Sequence, residues 1–338
     1  MREKLLLLHK IINPAPKELV EHIFSGAFSP DDLQKFGISR KRAEKLRDSE
    51  LLKNLKSQLE KAGREGWRVL FYDDDEYPGV LREISHPPVL IFVRGTIECP
   101  CFAVVGTRRA SQYGRGIAHD FSRKIASSGI TVVSGLAYGI DTKAHIGALE
   151  AGRTIAVLGS GAFHIYPSSN RSLARKISEK GALITEFFPE ERPAKFRFPL
   201  RNRIIAGISF GVLVVEAPEK SGALITARLA LEYGRDVFAV PGDIGRKNSR
   251  GTNRLIQEGA KLVLSVEDII GEYAEKEVEL TEEEEFLLQF IPSGEGVDAE
   301  FLSEASGLSP ERIFPLLLSL EMKGVIIGIS GWRYRRIV

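Results

Sequence analysis

The chain has 338 residues, of which 43% are apolar and 27% charged, with a formal net charge of +2. That is ordinary globular composition for two or three domains. No apolar run reaches membrane-spanning length and no secretory pattern opens the chain. Cys99 and Cys101, one residue apart, suit neither an ordinary disulfide nor a zinc site, so a reducing cytoplasm is expected.

The small net charge hides an asymmetry. Residues 101–260 carry 23 Lys and Arg against 13 Asp and Glu, whereas residues 261–338 carry 7 against 16. A cationic body attracts polyanions through its long-range field.

In chain order, residues 1–62 read as a small helical domain of the SAM or helix-hairpin-helix kind, and a plain packing module fits them equally. Ser29 before Pro30 marks a helix start, and Gly37-Ile38-Ser39 a turn between two short helices. Residues 66–97 read as a connector with a short strand at each end.

From there to residue 271 the chain alternates. Apolar, β-branched runs at 102–106, 130–134, 154–159, 182–186, 211–217, 236–240 and 261–265 are separated by helical stretches. Strands apolar on both faces, joined by helices, predict an α/β domain over 63–271: an extended Rossmann-like, doubly wound, mostly parallel sheet. Gly129, Gly152, Gly181, Gly234 and Gly259 stand just before strands and are expected to end helices in a left-handed turn. An acidic linker follows. Residues 280–338 then read as three helices and a terminal hairpin, the order of a winged-helix-like domain, whose acidity favours a protein-contact role over DNA reading.

Ligands of open parallel sheets bind beyond the carboxyl ends of the strands. Five loops there are rich in glycine, which lets backbone amides approach a phosphate. The first holds Gly106, Thr107, Arg108, Arg109 and Ser111, and the second Gly135. The third holds Gly159, Gly161, Tyr166, Asn170 and Arg171. Arg201, Asn202 and Arg203 precede the fifth strand of this series, with Lys220, Ser221 and Gly222 after it; Lys247, Asn248 and Arg250 follow the sixth. So many cations along one edge suit a polyanion better than a mononucleotide. The Arg201–Arg203 cluster is expected to form one wall of its groove, with phosphates on the helix N-termini and a base stacked on Phe163 or Tyr166.

Several chemistries are excluded. Large arginines stand where a dinucleotide turn needs glycine, and no Walker lysine pattern occurs. The six histidines are scattered, so no metal is expected. Asp141 is expected to cap a helix and His145 to pack. Ser160 has no identifiable base.

The segments VVGTRRAS-YG, SGLAYGID-AH-GAL, GRTIAVLGSG, FPLRNRIIAGIS and EAPEKSGALITARLALEYGRDVFAVPG occur in this order. Together they closely resemble the DNA-processing protein A (DprA/Smf) family over residues 65–260. The resemblance implies an extended Rossmann fold that binds single-stranded DNA and dimerises through that domain. It further implies shielding of incoming strands and loading of the RecA recombinase in natural transformation, with no catalysis and no cofactor. It places the strand on Arg108, the Tyr166–Asn170 loop and the neighbouring glycine turns. Ser168 departs from the lysine many relatives carry there, and Arg171 is expected to supply the charge. The alternative is a nucleotide-binding or phosphoribohydrolase-type enzyme of the same superfamily. Its catalytic glutamate falls on Thr226, leaving no carboxylate in the cradle.

Overall fold

The computed structural model of the chain describes residues 2–25, 32–273, 280–292, 296–322, 325–329 and 333–336. Backbone contacts divide it into two units, Met1–Ile270 and Gly271–Val338. The expected Ser29–Pro30 helix start lies outside the described residues.

The first unit is built on nine strands: β1 (Arg68–Phe71), β2 (Leu90–Gly95), β3 (Cys101–Val105), β4 (Thr131–Ser134), β5 (Thr154–Val157), β6 (Ala182–Thr185), β7 (Gly211–Val214), β8 (Asp236–Ala239) and β9 (Lys261–Leu262). Their order in space is β1-β2-β6-β5-β4-β3-β7-β8-β9. The seven strands from β3 to β9 are parallel and coincide with the seven apolar runs. The stretch read as a connector has the short strand expected at each end, and these two strands extend the sheet, since β2 pairs antiparallel with β6 and β1 with β2. Within β2, Ile91 and Val93 enter one core and Leu90 and Phe92 the other. Burial of both faces is why the strand reads as a continuous apolar run.

Helices α1 (Arg2–Ile12), α2 (Lys17–Phe24), α3 (Asp32–Lys35), α4 (Arg40–Glu44) and α5 (Ser49–Arg64) precede the sheet, and α6 (Gly79–Arg82) lies between β1 and β2. Leu8, Leu19, Val20 and Leu55 from the front helices share one core with Phe92, Leu183 and Phe188. The crossovers are α7 (Gln112–Ser127), α8 (Ile140–Ala151), α9 (Arg171–Lys180), α10 (Arg197–Ile208), α11 (Gly222–Glu232) and α12 (Arg250–Gln257), and α13 (Glu267–Tyr273) follows β9.

Not every helix-ending glycine serves the expected purpose. Gly129, Gly234 and Gly259 have φ of 86°, 67° and 102°, the left-handed turn. Gly152 and Gly181 are extended, with φ of −177° and −159°. They are required because a Cβ would lie 2.5 Å from the carbonyl oxygen of Ala126 and 2.1 Å from that of Thr154.

The second unit holds α14 (Glu282–Leu288), β10 (Val297–Asp298), α15 (Ala299–Ser306), α16 (Pro310–Met322), β11 (Ile326–Ile329) and β12 (Arg333–Arg336). Its antiparallel sheet has the order β10-β12-β11, and Leu287, Leu302, Ile313, Leu317 and Leu320 form its core. Thr281 and Glu284 close a capping box at the start of α14. Among the described residues no helix is long and apolar enough to cross a membrane.

One consequence of the strand order positions the site. From β3 the chain winds outward to β4, β5 and β6, then returns to lay β7 on the other side of β3. The loops after β3 and β7 therefore diverge and leave a crevice at the carboxyl edge.

Candidate functional site

A cavity of about 630 Å³ opens at this reversal of strand order. The loop after β3 supplies Gly106, Thr107, Arg108 and Arg109, and the segment after β7 supplies Pro218, Lys220, Ser221, Gly222 and Thr226. Tyr166, Lys195 and Asp141 complete the walls with one face of α10. The Arg108 guanidinium carbon lies 4.9 Å from the centroid of the Phe198 ring, and the Tyr166 ring centroid lies 5.7 Å from the same ring. Arg108, Arg109, Lys195 and Lys220 are exposed, and among the described residues none forms an ion pair.

The helix α10 explains why the two arginines of FPLRNR do different work. Phe198, Arg201, Asn202 and Ile205 all line the cavity, spaced i, i+3, i+4 and i+7 along one face. Arg203 is two residues beyond Arg201, about 200° around the helix. It points away, into a buried pair with Glu186 at 2.5 and 2.6 Å. It also donates to the carbonyls of His86 and Leu200 and to the Asn13 side chain. The expectation that Arg203 shares the groove wall is therefore corrected by helical geometry. Arg201 does line the cavity but is itself only 4% exposed. It donates to the Gly135 carbonyl at 2.7 Å, to that of Val157, and to Asn202 Oδ1 at 3.1 Å. Burial lowers its pKa to about 10 against the attraction of Asp141, with the Arg108 charge adding to the depression.

The expected row of helix N-termini is mostly taken up by the protein itself. At α7, Ser111 caps Gly114 N–H, and the Glu216 carboxylate accepts from Ser111 N at 2.8 Å and Ser111 Oγ at 2.5 Å. A protein carboxylate thus holds the place where a phosphate would dock. At α8, Ile140 N–H bonds to the Thr107 carbonyl, and Gly139 packs so tightly that a Cβ would lie 2.4 Å from that oxygen. α9 is entered through a short 3-10 turn, Ser168–Asn170. Among these, α11 opens into the cavity, with Ser221 capping Ala223 N–H and Asn202 donating to the Gly222 carbonyl.

The other expected site residues shape the cavity or lie outside it. A Cβ on Gly135 would strike the Arg201 guanidinium at 2.6 Å, and one on Gly159 the Phe198 ring at 2.6 Å. Gly161 packs on the Phe188 carbonyl. Asn170 is buried and braces the loops by donating to the Leu136 carbonyl and Thr142 Oγ1, both at 2.9 Å. Asn248 donates to the Arg109 carbonyl. Arg250 lies in a separate hollow with Ile244 and Arg254. Arg171 and Phe163 line a different cleft, so Arg171 does not stand in for the missing lysine in this cavity.

Asp141 is a further correction. It is the second residue of α8, not its cap, and its carboxylate accepts from Ala137 N at 3.3 Å. It lines the cavity, which therefore does contain a carboxylate, and burial raises its pKa although Arg201 opposes this. His145 packs as expected. Thr154 Oγ1 donates to the Val132 carbonyl, so His145 Nδ1 donates to Thr154 Oγ1 at 2.7 Å. The ring is neutral, and burial lowers its pKa to about 3.

Sequence reasoning missed Lys195, Phe198 and Glu216. The helical spacing of Phe198 from Arg201 carried a signal for the second. The contact of Glu216 with Ser111, 105 residues away, had none.

Comparison with known proteins gives a consistent picture. A family model described as DNA recombination-mediator protein A matches residues 68–274. The DNA processing protein DprA of Bacillus subtilis is 42% identical over 223 residues, covering 64% of this chain and 75% of that one. The X-ray structure of DprA from Streptococcus pneumoniae superposes with a TM-score of 0.69 at 37% identity, covering 79% of this chain and 95% of that one. A DprA structure from Helicobacter pylori, described for its single-stranded DNA binding mode, has a TM-score of 0.57 at 28% identity, covering 62% and 95%.

Proposed function

The chain belongs to the DNA recombination-mediator protein A family, and from that premise we propose that it binds single-stranded DNA in the cavity between the β3 and β7 loops. It shields the incoming strand there and loads the RecA recombinase onto it during natural transformation in the cytoplasm. The observation that carries the DNA reading is the set of four exposed cations, without an ion pair among the described residues, around a cavity walled by Phe198 and Tyr166. Their mutual repulsion is relieved by an anion.

Phosphates bond to Arg108, Arg109, Lys195 and Lys220 and to the α11 N-terminus, where the helix dipole favours negative charge. A base stacks on Tyr166, which is 45% exposed, for about 1–3 kcal/mol. Arg201 shapes the wall from behind. Backbone contacts carry no sequence information, so preference among sequences is small. The Helicobacter pylori relative, described for single-strand binding, supports this reading, and the family's description as a recombination mediator supports the RecA step. A homodimer through this unit is supported by the edge strand β9, where Leu262 and the following Leu264 are 42% and 78% exposed.

The test is fluorescence anisotropy with single-stranded and duplex oligonucleotides of equal length across a salt series. For single strands, log affinity falls with log salt by about 0.7 per phosphate contacted. Tight single-strand binding with weak duplex binding is expected; binding of neither sinks the reading.

One observation favours a second reading. Asp141, whose pKa burial raises from its ordinary value, shares the cavity with Arg201, as an acid catalyst would. An enzyme of the phosphoribohydrolase type would release a nucleobase from a nucleoside monophosphate, and Asp141→Asn would abolish that release. No release is expected from the strand-binding protein.

A further inference from the structure

We propose that a second basic cleft, on the other side of the loop that carries Tyr166, holds a continuation of the same DNA strand. The inference rests on the strand-binding reading above and extends it to a site that reading does not use.

The cleft has a volume of about 580 Å³. Lys61, Arg64, Arg94, Arg171 and Arg175 line it, against the single acid Glu65. Its walls are apolar, with Trp67, Phe163, Ile165 and Leu183 among them. Lys61 and Arg175 are shared with Glu190 at 3.8 Å and Glu179 at 3.3 Å. Arg64, Arg94 and Arg171 make no ion pair or side-chain hydrogen bond among the described residues.

A solvated helix face does not account for this cluster, because the arginines come from three elements distant in sequence. Arg64 ends α5, Arg94 lies on β2 and Arg171 begins α9. The position of Arg171 is also unfavourable for its own helix, whose N-terminus repels a cation. Convergence of unpaired cations over aromatic and aliphatic walls is the pattern of a groove for single-stranded nucleic acid: phosphates on arginine, bases on apolar rings.

The connection between the two sites is direct. Ile165 lines the cleft and the adjacent Tyr166 lines the first cavity, so one loop is the wall of both. A strand that leaves the first cavity over the exposed Tyr166 ring passes to Phe163 and Ile165, with Arg171 beside them. A mononucleotide leaves most of these cations unmatched; a continuing strand matches them.

The experiment compares the wild type with Arg64→Ala/Arg94→Ala/Arg171→Ala on strands of about 6 and about 16 nucleotides, within the span of single-strand sites. Arg64 and Arg171 are exposed and Arg94 is half-buried, so the fold tolerates their removal. On the long strand the variant's salt slope becomes shallower by about 2, for three lost phosphates. Between 50 and 200 mM salt the wild type then loses about twentyfold more affinity than the variant. On the short strand the two proteins match. A direct reading comes from Trp67, since the chain has two tryptophans and Trp332→Phe leaves it alone. In that background the long strand changes the tryptophan emission, and the short strand does not.

A triple variant that equals the wild type in affinity and slope on the long strand, while the wild type binds both lengths, overturns this inference alone. A wild type that binds neither length overturns the first-cavity reading and this one with it.

Discussion

Replacing Arg203 by alanine separates two roles that neighbouring arginines of one motif play. Arg203 is 5% exposed and Glu186 1%. The guanidinium makes both oxygens of Glu186 its acceptors, and bonds as well to His86, Leu200 and Asn13. In Arg203→Ala the Glu186 carboxylate stays buried, with Asn13 Nδ2 its one remaining side-chain donor among the described residues. Breaking a buried pair in this one-sided way costs about 3–5 kcal/mol. At about 2–4 °C per kcal/mol for a domain of this size class, Tm falls by about 10 °C. The double variant Arg203→Met/Glu186→Leu removes both charges and is less destabilised than Arg203→Ala. Single-strand affinity of the folded Arg203→Ala protein is unchanged, because the side chain does not reach the cavity. Arg108→Ala behaves in the opposite way. Its Tm is unchanged, and its affinity falls by about 10- to 100-fold, the worth of one hydrogen bond to a charged group. Differential scanning calorimetry and anisotropy on the same preparations provide the check. An Arg203→Ala protein that keeps its Tm but loses the strand would refute the assignment of Arg203 to the fold.

Stability falls with acidification below about pH 6.5, because His145 has a pKa of about 3 when folded and about 6.5 when unfolded. Between those values the unfolded chain binds the extra proton, so the slope reaches about 1.4 kcal/mol per pH unit, and burial of His9 adds in the same sense. Urea titrations of His145→Gln at several pH values should show a flatter slope; an unaltered one would contradict a buried neutral ring. Cys99 and Cys101 approach to 3.7 Å between sulfurs, which lowers the Cys99 pKa to about 7 and raises that of Cys101 well above the usual thiol range. Iodoacetamide should label Cys99 first, with a midpoint near that pH, and equal labelling of both thiols would refute the assignment. Glu216→Ala leaves Ser111 N without its acceptor, and the protein is destabilised by about 1–3 kcal/mol in urea. The Arg108–Arg109 loop then loses its anchor and strand affinity drops with it; retention of both would show that Glu216 does not hold the loop.

Much of the fold was legible along the chain because its signals are local. A central strand buried on both faces must be a short apolar run, and the runs at 102–106 and 211–217 became β3 and β7. The glycine-rich turns at the strand ends, with Arg108 and Arg109 in the first, marked the edge where the cavity lies. Even the split between Arg201 and Arg203 follows from the helical period once α10 is recognised as a helix over these residues.

The remainder depends on contacts between distant parts of the chain. The pairing of β2 with β6, and hence the place of residues 66–97 in the sheet, is a choice among partners that no local pattern encodes. The same holds for the site. Glu216 closes the α7 N-terminus from 105 residues away, and Arg203 finds Asn13 across 190. Arg64, Arg94 and Arg171 meet around one cleft although each looks like an ordinary surface charge in its own segment. Propensity and periodicity are properties of neighbours in sequence and therefore determine which elements form and which face is apolar. Whether a given arginine is a structural strut or a free cation depends on the partner that packing brings to it, and only the folded chain decides that.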